Sequence, residues 1–435
     1  MANPYITPYM TSNDLIASVQ RKISMPLSQN LFSARDILAF ANEELFISQV
    51  PAILEFHEEY FVFTLKVPIV PKKHRYPIPT RAIGMKLRDV KWQDSNHNVF
   101  DMTRVNPEEK SFYQQNIGTS EVISKYYIEG NDLVLLPALT ITNSVYLIFY
   151  YFLRPNQLVA NERAAIIIGF NNTITVLNAN IVPGDTITIN SNDPINLQVF
   201  TAVTGLPAAN QFQIAGSDIA TATNLVNAIN LNGLAGTATN GNPSTSLITI
   251  SFNNILMSQG LITSNPAAFI IPLDTQSIQF NQLPSTYQDP ITFVTTPLYV
   301  PGVTVDFLQT NPGHRTYAID VPIPLKSISG TTTSFILETV PTNIFVGDYI
   351  CLSNECIIPQ IPPDLHTSLA QRTATMILGA LGDQAGLQAS ALKVQEMEKK
   401  QISLLDARVE GSALKIAPKK SLLRFQSYGS RRRRL

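Results

Sequence analysis

From Ala164 to His314 the chain carries no lysine and no arginine, and its only acids are six aspartates. A stretch this long without cations cannot lace surface helices with i,i+4 ion pairs, so strands, turns and neutral surfaces are what remain to it. Its local pattern agrees. TITVLN, DTITIN, NLQVFTAVT and QFQIAG alternate as short strands, SDIATATNLVNAIN reads as a helix capped by Ser217 or Asp218, and LITISF is a further strand. The shift in composition marks an inserted unit, a small β-rich module with one helix over residues 164–255. The strands ITFVTTPLYV, TYAIDVPI, SFILETV and DYICLS follow, and are expected over residues 256–360 to complete a β-domain begun before the insertion. Such an insertion is tolerated best in a loop.

The flanks read differently. Residues 1–65 are helical: Asn13 and Asp14 precede the face Leu15, Val19 and Ile23, and Ser33 with Asp36 resembles a capping box before Ile37, Ala41 and Leu45. Pro51 is expected to break or kink that second helix, with Ala52 to Tyr60 continuing it. Residues 66–163 form the first part of the β-domain, drawing on YFVFTLKVPIV from residue 60, YPIPTRAIGMKLRDVKW, and KYYIEGNDLVLLP with a tight turn at Gly130-Asn131. SVYLIFYYFLRP reads as a strand buried on both faces.

After Pro362 and Pro363, Leu365, Leu369, Ile377 and Leu381 recur at helical spacing until Gly382, and Leu387, Ala391, Val394, Met397, Leu404 and Leu405 resume it. Residues 361–410 are therefore an antiparallel helical hairpin, with Glu396 and Lys400 an i,i+4 pair on its outer face. The expected fold class is α+β: a helical bundle from the N- and C-terminal helices, plus a β-rich domain carrying the inserted module. Past Gly411 the apolar period fades. Residues 411–435 hold eight basic residues, Lys415, Lys419, Lys420, Arg424, Arg431, Arg432, Arg433 and Arg434, and no acid. With these eight removed from 31 cations, residues 1–410 keep 23 against 32 acids, a net of −9. Leu422, Leu423, Phe425 and Tyr428 are interleaved with the cations, and such a spine suits an arm that docks in a protein groove more than a purely electrostatic tail. Arg431 to Arg434 are placed to meet either protein or nucleic acid phosphates.

Little in the sequence points to chemistry. No G-x-x-x-x-G-K-[ST], G-x-G-x-x-G, H-E-x-x-H or G-x-S-x-G pattern occurs. His57, His74, His97, His314 and His366 are scattered; Glu55, His57, Glu58 and Glu59 read as a solvated helix end; Asp185, Asp193 and Asp218 read as turn and cap residues. Cys351 and Cys356, without a second ligand pair, read as reduced structural cysteines. The expectation is a protein with no catalytic residues, no metal and no cofactor. The N-terminus lacks a signal-peptide pattern and no run of about 18 apolar residues is seen, so a soluble intracellular product without membrane contact is expected. Charged residues are only 14% of the chain, against about 25% in typical soluble domains, which suits surfaces spent on neighbours.

The run GDYICLSNECIIPQIPPDLHTSLAQRTATMILGALGDQAGLQASALKVQEMEKKQISLLDARVEG, the earlier YPIPTRAIGMKLRDV and YYFLRPNQLV, and the N-terminal helices with EEYFV resemble the head–tail connector (adaptor) proteins of short-tailed bacteriophages, and among them the ring proteins of crAss-like phages. SDIATATNLVNAINLNG followed by LITISF is similar to a module of phage tail and decoration proteins. The resemblance implies a structural virion protein, assembled in the host cytoplasm and located at the portal vertex. It implies a ring of about twelve copies below the portal protein, continuing the DNA channel towards further tail ring or fibre proteins. Packaged DNA would pass without sequence-specific binding. The helices of both termini would form the bundle, and the twelve residues Lys415, Lys419, Lys420, Leu422, Leu423, Arg424, Phe425, Tyr428 and Arg431 to Arg434 would be the portal-binding arm. The competing expectation is a tail-associated receptor- or glycan-binding protein, motivated by the Asn- and Thr-rich residues 164–255. A peptidoglycan-degrading enzyme is disfavoured, because no acid/base pair or nucleophile motif is seen.

Overall fold

The computed structural model describes residues 10–23, 32–56, 58–70, 73–109, 125–136, 145–189, 197–232, 237–240, 246–252, 261–271, 277–281, 286–288, 295–297, 299, 303–310, 316–322, 328–329, 332–334 and 344–404. The fold is α+β, with its described strands lying between N-terminal and C-terminal helices.

Helix α1, Ser12–Lys22, starts one turn earlier than its apolar face suggests. Thr11 is the cap: its Oγ1 accepts the Asp14 N–H at 3.3 Å while the Asp14 carboxylate accepts the Thr11 N–H at 3.0 Å. Asp14 is thus the reciprocal third residue of a capping box. Helix α2, Ala34–Glu44, has the box expected of Ser33 and Asp36, with bonds of 3.2 and 2.9 Å. Pro51 does not break the chain's helicity. A π-turn, Leu45–Gln49, precedes helix α3, Val50–Phe56. The wider turn accommodates a residue that has no N–H to donate and whose ring clashes with the carbonyl four positions back in a regular helix. One expectation is corrected here. Continuity through the π-turn makes Ala34–Phe56 a helix of 23 residues, long and apolar enough by length and composition to span a membrane, with a mean hydropathy of 1.3. Its residues Ile37, Leu38, Ala41, Leu45, Val50 and Ile53 are buried in a helical core.

Helices α5, His366–Leu381, and α6, Gln384–Leu404, follow much later, after the short α4, Asp218–Asn232. Gly382 at φ 74° turns the chain between α5 and α6, a backbone state that glycine adopts without strain. Leu15 and Val19 of α1, Ile37 and Ala41 of α2, and Leu369, Ala374 and Ile377 of α5 are wholly buried together. Each buried Leu, Ile or Val among them contributes about 1.5–3 kcal/mol. Hydrogen bonds stitch this core to the crossing chain. Ser12 N–H donates to Ile357 O at 2.7 Å, and the Asn42 amide exchanges bonds of 3.0 and 2.7 Å with the Leu158 backbone.

Two antiparallel-rich sheets from residues 62–153 enclose a second core. In one, Tyr146–Leu153 lies between Val62–Pro68 and Ala82–Gln93, with Val99–Asp101 outside the latter; a central strand explains its burial on both faces. The other contains the Gly130-Asn131 hairpin, in which Glu129 pairs with Asp132 and Gly130 has φ 61°. Tyr76, Trp92, Leu133, Phe149 and Tyr151 pack between the sheets.

The third core corrects the expected strand assignment. The strand Ala165–Val176 pairs at its start with Tyr349–Leu352, then with Ser277–Phe280 and Leu247–Phe252, shifting register where Ile168 bulges outward. Thr304–Leu308 joins the same sheet beside Tyr349–Leu352. Ser277–Phe280, Thr304–Leu308, Thr316–Pro322 and Tyr349–Leu352 therefore belong to the body begun at Ala165, Thr286–Gln288 and Thr295–Pro297 pair with each other, and no strand after residue 256 pairs with the sheets of residues 62–153 among the described residues. The cation-free stretch runs on past residue 255 into this body as far as His314, and the body's strands Thr316–Pro322 and Tyr349–Leu352 lie beyond it. A smaller sheet of Thr186–Ile189, Gln198–Val203, Gln211–Gln213 and Ile262–Thr263, with α4, packs Ile187, Phe200, Phe212, Leu225 and Ile229 into the common core.

Candidate functional site

The densest polar chemistry lies where the three cores meet. Asp306 stands inside the apolar strand Thr304–Leu308 and is fully buried, and Arg81, at the start of Ala82–Gln93, is 6% exposed. The Arg81 Nη1 donates to Asp306 Oδ1 and Oδ2 at 2.9 and 2.8 Å, and its Nη2 donates to Asn156 Oδ1. Asp306 also accepts Asn156 Nδ2 at 2.6 Å, the Asp320 N–H at 2.9 Å and the Asn354 N–H at 3.1 Å. Gln360 Oε1 accepts the Asn156 N–H at 2.6 Å. A buried carboxylate with every lone pair engaged is a holding group. It has no free oxygen with which to take a substrate proton. Beside it Arg163 and Glu355 form a second pair, with Arg163 Nε to Glu355 Oε2 at 2.9 Å, and the Tyr299 hydroxyl donates to Arg163 O at 2.8 Å.

The reactive groups nearby are quenched by burial. Among the described residues the Tyr151 hydroxyl has no hydrogen-bond partner, and burial pushes its pKa up to about 12, with Arg81 pulling the other way. Cys351 and Cys356 are free thiols, both pushed up by burial above all, and Cys356 Sγ donates to Ile358 O at 3.0 Å. A thiol held protonated is a poor nucleophile. Tyr60, Phe61, Val62, Phe63, Leu153, Pro155 and Gln360 line a crevice of about 40 Å³, room for a few waters and no substrate. Among the described residues no three His, Cys, Asp or Glu side chains gather as a metal site would require.

The residues singled out from sequence separate into three groups. All twelve arm residues, Lys415 to Arg434, lie outside the described residues, as do His57, Asp193, Leu405 and His314. Asp185 Oδ2 holds a turn by accepting the Val182 N–H at 2.8 Å; Ser217 caps α4, its Oγ accepting the Ala220 N–H at 3.3 Å, while Asp218 Oδ1 accepts the Asn178 N–H at 2.6 Å. Glu59 pairs with Arg88 at 2.9 Å on the surface. The Arg81–Asp306–Asn156 junction was not foreseen, although an aspartate in the middle of TVDFL is the signature of a buried, paired charge.

A second cluster organises the C-terminal hairpin. Arg372 of α5 donates to Ser48 in the π-turn, reaches Glu44 of α2 at 3.6 Å and pairs with Glu398 of α6. Gln371 Nε2 donates to Ser390 Oγ at 2.8 Å, and Thr375 and Ser390 share a hydroxyl bond of 2.6 Å. Polar contacts are thus prominent in seating α6 on α5. No model of a known protein family matches the chain, and no curated protein matches it.

Proposed function

We propose that the chain is a structural virion protein, a head–tail connector subunit that forms a ring below the portal and links it to the tail. Its support is the shared core of α1, α2 and α5, which brings the two ends of the chain into one helical body from which α6 runs towards the basic residues 411–435. The buried Arg81–Asp306–Asn156 junction suits such a role, because it fixes both β-bodies to that helical body and spends its chemistry on holding them. In this reading α6 presents the arm to the portal, and Leu422, Leu423 and Phe425 supply the apolar burial that offsets about 1–2 kcal/mol of backbone ordering per residue.

The test is negative-stain electron microscopy of the protein with and without its cognate portal protein, comparing the full chain with one ending at Glu410. Rings capping the portal only with the full chain are expected. Equal capping by the shortened chain rejects the arm as anchor, and no capping by either rejects the connector.

A further inference from the structure

Two exposed faces of the helical body each lack the charge the other carries. The outward stripe of the helix Ala34–Phe56 recurs every four residues as Glu43, Ile47, Pro51 and Glu55, all exposed, with Phe56 beside it. Ile47 is 70% exposed and Phe56 40%, unusual for large apolar side chains on a helix rimmed by acids. Neither Glu43 nor Glu55 forms an ion pair among the described residues.

The other face lies where the end of α1 meets α5, whose Gln371 bridges Lys22 of α1 to Ser390 of α6. Arg21, Lys22 and Lys393 form no ion pair there among the described residues: Lys22 Nζ donates to the neutral Gln371 Oε1 at 3.2 Å and Arg21 Nε to Ala17 O at 3.2 Å, while Glu396, one turn along α6 from Lys393, is itself paired with Lys400 at 2.7 Å. Burial pulls the Lys22 ammonium below its ordinary range, and Lys393 and then Arg21 push it the same way. Leu392, next along α6, is 68% exposed. Three cations with an apolar neighbour are the complement of two acids flanking Ile47.

We propose that, in the ring of the connector reading on which this rests, the Arg21, Lys22, Lys393 and Leu392 face of one subunit docks on the Glu43, Ile47, Glu55 and Phe56 stripe of the next copy. A closed ring needs such a heterologous contact, one patch against a different patch. The opposed charges set its register, and Leu392 against Ile47 and Phe56 supplies its apolar centre. The occupant is a second copy of this chain because each face carries the charge that the other leaves unmatched.

Sedimentation of the full chain over a range of concentrations, at low and high salt, tests this. R21E/K393E and E43K/E55K are each expected to weaken self-association by at least about tenfold, and salt to weaken that of the native chain. Mixing the two variants, or combining all four changes in one chain, restores the association, because the swapped faces are again opposite in sign. The substituted residues lie at the surface, and an unchanged melting temperature and circular dichroism spectrum confirm folding. Association that ignores both variants, or that the fourfold variant fails to restore, overturns the contact while leaving the ring to lie elsewhere. Loss of association in the chain ending at Glu410 assigns the acidic stripe to the basic arm and overturns it too. A chain monomeric at every concentration also overturns it, and portal capture then judges the connector separately.

Discussion

Helices α5 and α6 are neighbours in one hairpin, carry similar apolar periods, and are held in different ways. Helix α5 buries Leu369, Ala370, Ala374 and Ile377 completely, whereas within residues 384–400 α6 buries only Ser390 and leaves Leu387, Ala391, Val394 and Met397 half-buried. The first is fixed by a core, and the second leans heavily on Arg372, Gln371 and Thr375. Apolar spacing therefore identifies a helix and its inner face without saying how much of that face the same chain will cover.

Breaking the core side of this comparison has the largest expected effect. Leu369→Ala lowers stability by about 2–5 kcal/mol, because it leaves a cavity that rigid neighbours fill poorly. Val394→Ala lowers it by under about 1 kcal/mol, since a half-buried methyl pair loses little that water did not already touch. Urea titration of both variants checks the contrast, and equal losses would erase the distinction between the helices. Arg372→Ala comes next, at about 1–3 kcal/mol, with Glu44 and Ser48 losing a charged donor. Hydrogen exchange of the same variant is expected to accelerate in α6 and to leave α5 protected; uniform acceleration would mean that α6 is part of the core after all.

The smallest effect sharpens the comparison through pH. His366 opens α5 with its Nε2 3.1 Å from Pro359 O and 3.2 Å from Ile361 O, and burial holds its pKa below its ordinary value of 6.5 despite those carbonyls and Asp364. The folded state therefore binds its proton less readily than the unfolded state. Stability tied to the neutral ring is complete above pH 6.5 and is lost as pH falls from there through the lowered folded value. Denaturant titrations at a series of pH values across that window should show the slope in the native chain and a flatter one in His366→Gln.

Local chemistry was legible from residues alone, and long-range pairing was not. The Ser33–Asp36 box, the Gly130-Asn131 turn and the stop at Gly382 each rest on neighbours in sequence. Thr11 was missed because Asp14, the stronger cap former, drew the boundary to itself although it serves as the third residue of the box. At Pro51 the expectation left break and kink open, and the chain takes a π-turn ahead of it and stays helical to Phe56. The pairing of Ala165 with Ile350 depends on which apolar strand reaches the edge of Ala165–Val176 first, and many short strands of similar pattern compete for it. Asp306 announces a buried charge by its apolar surroundings, but nothing near it in the chain announces Arg81 as its partner. For the arm, charge and spacing are all that the residues offer.

The separation of that pair orders events during synthesis. Arg81 precedes Asp306 by 225 residues, and Asn156 precedes it by 150. At about 5–20 residues per second, a ribosome takes roughly ten to forty-five seconds to deliver the carboxylate after the guanidinium. Once residue 153 has been made, the sheets of residues 62–153 can be complete for the rest of that interval while their junction is open, with the Arg81 guanidinium in water where its charge is at no disadvantage. The helical body, which needs α5, closes later still. A nascent chain of this protein is thus expected to gain its domains one after another, and its helical body only once the C-terminal helices emerge.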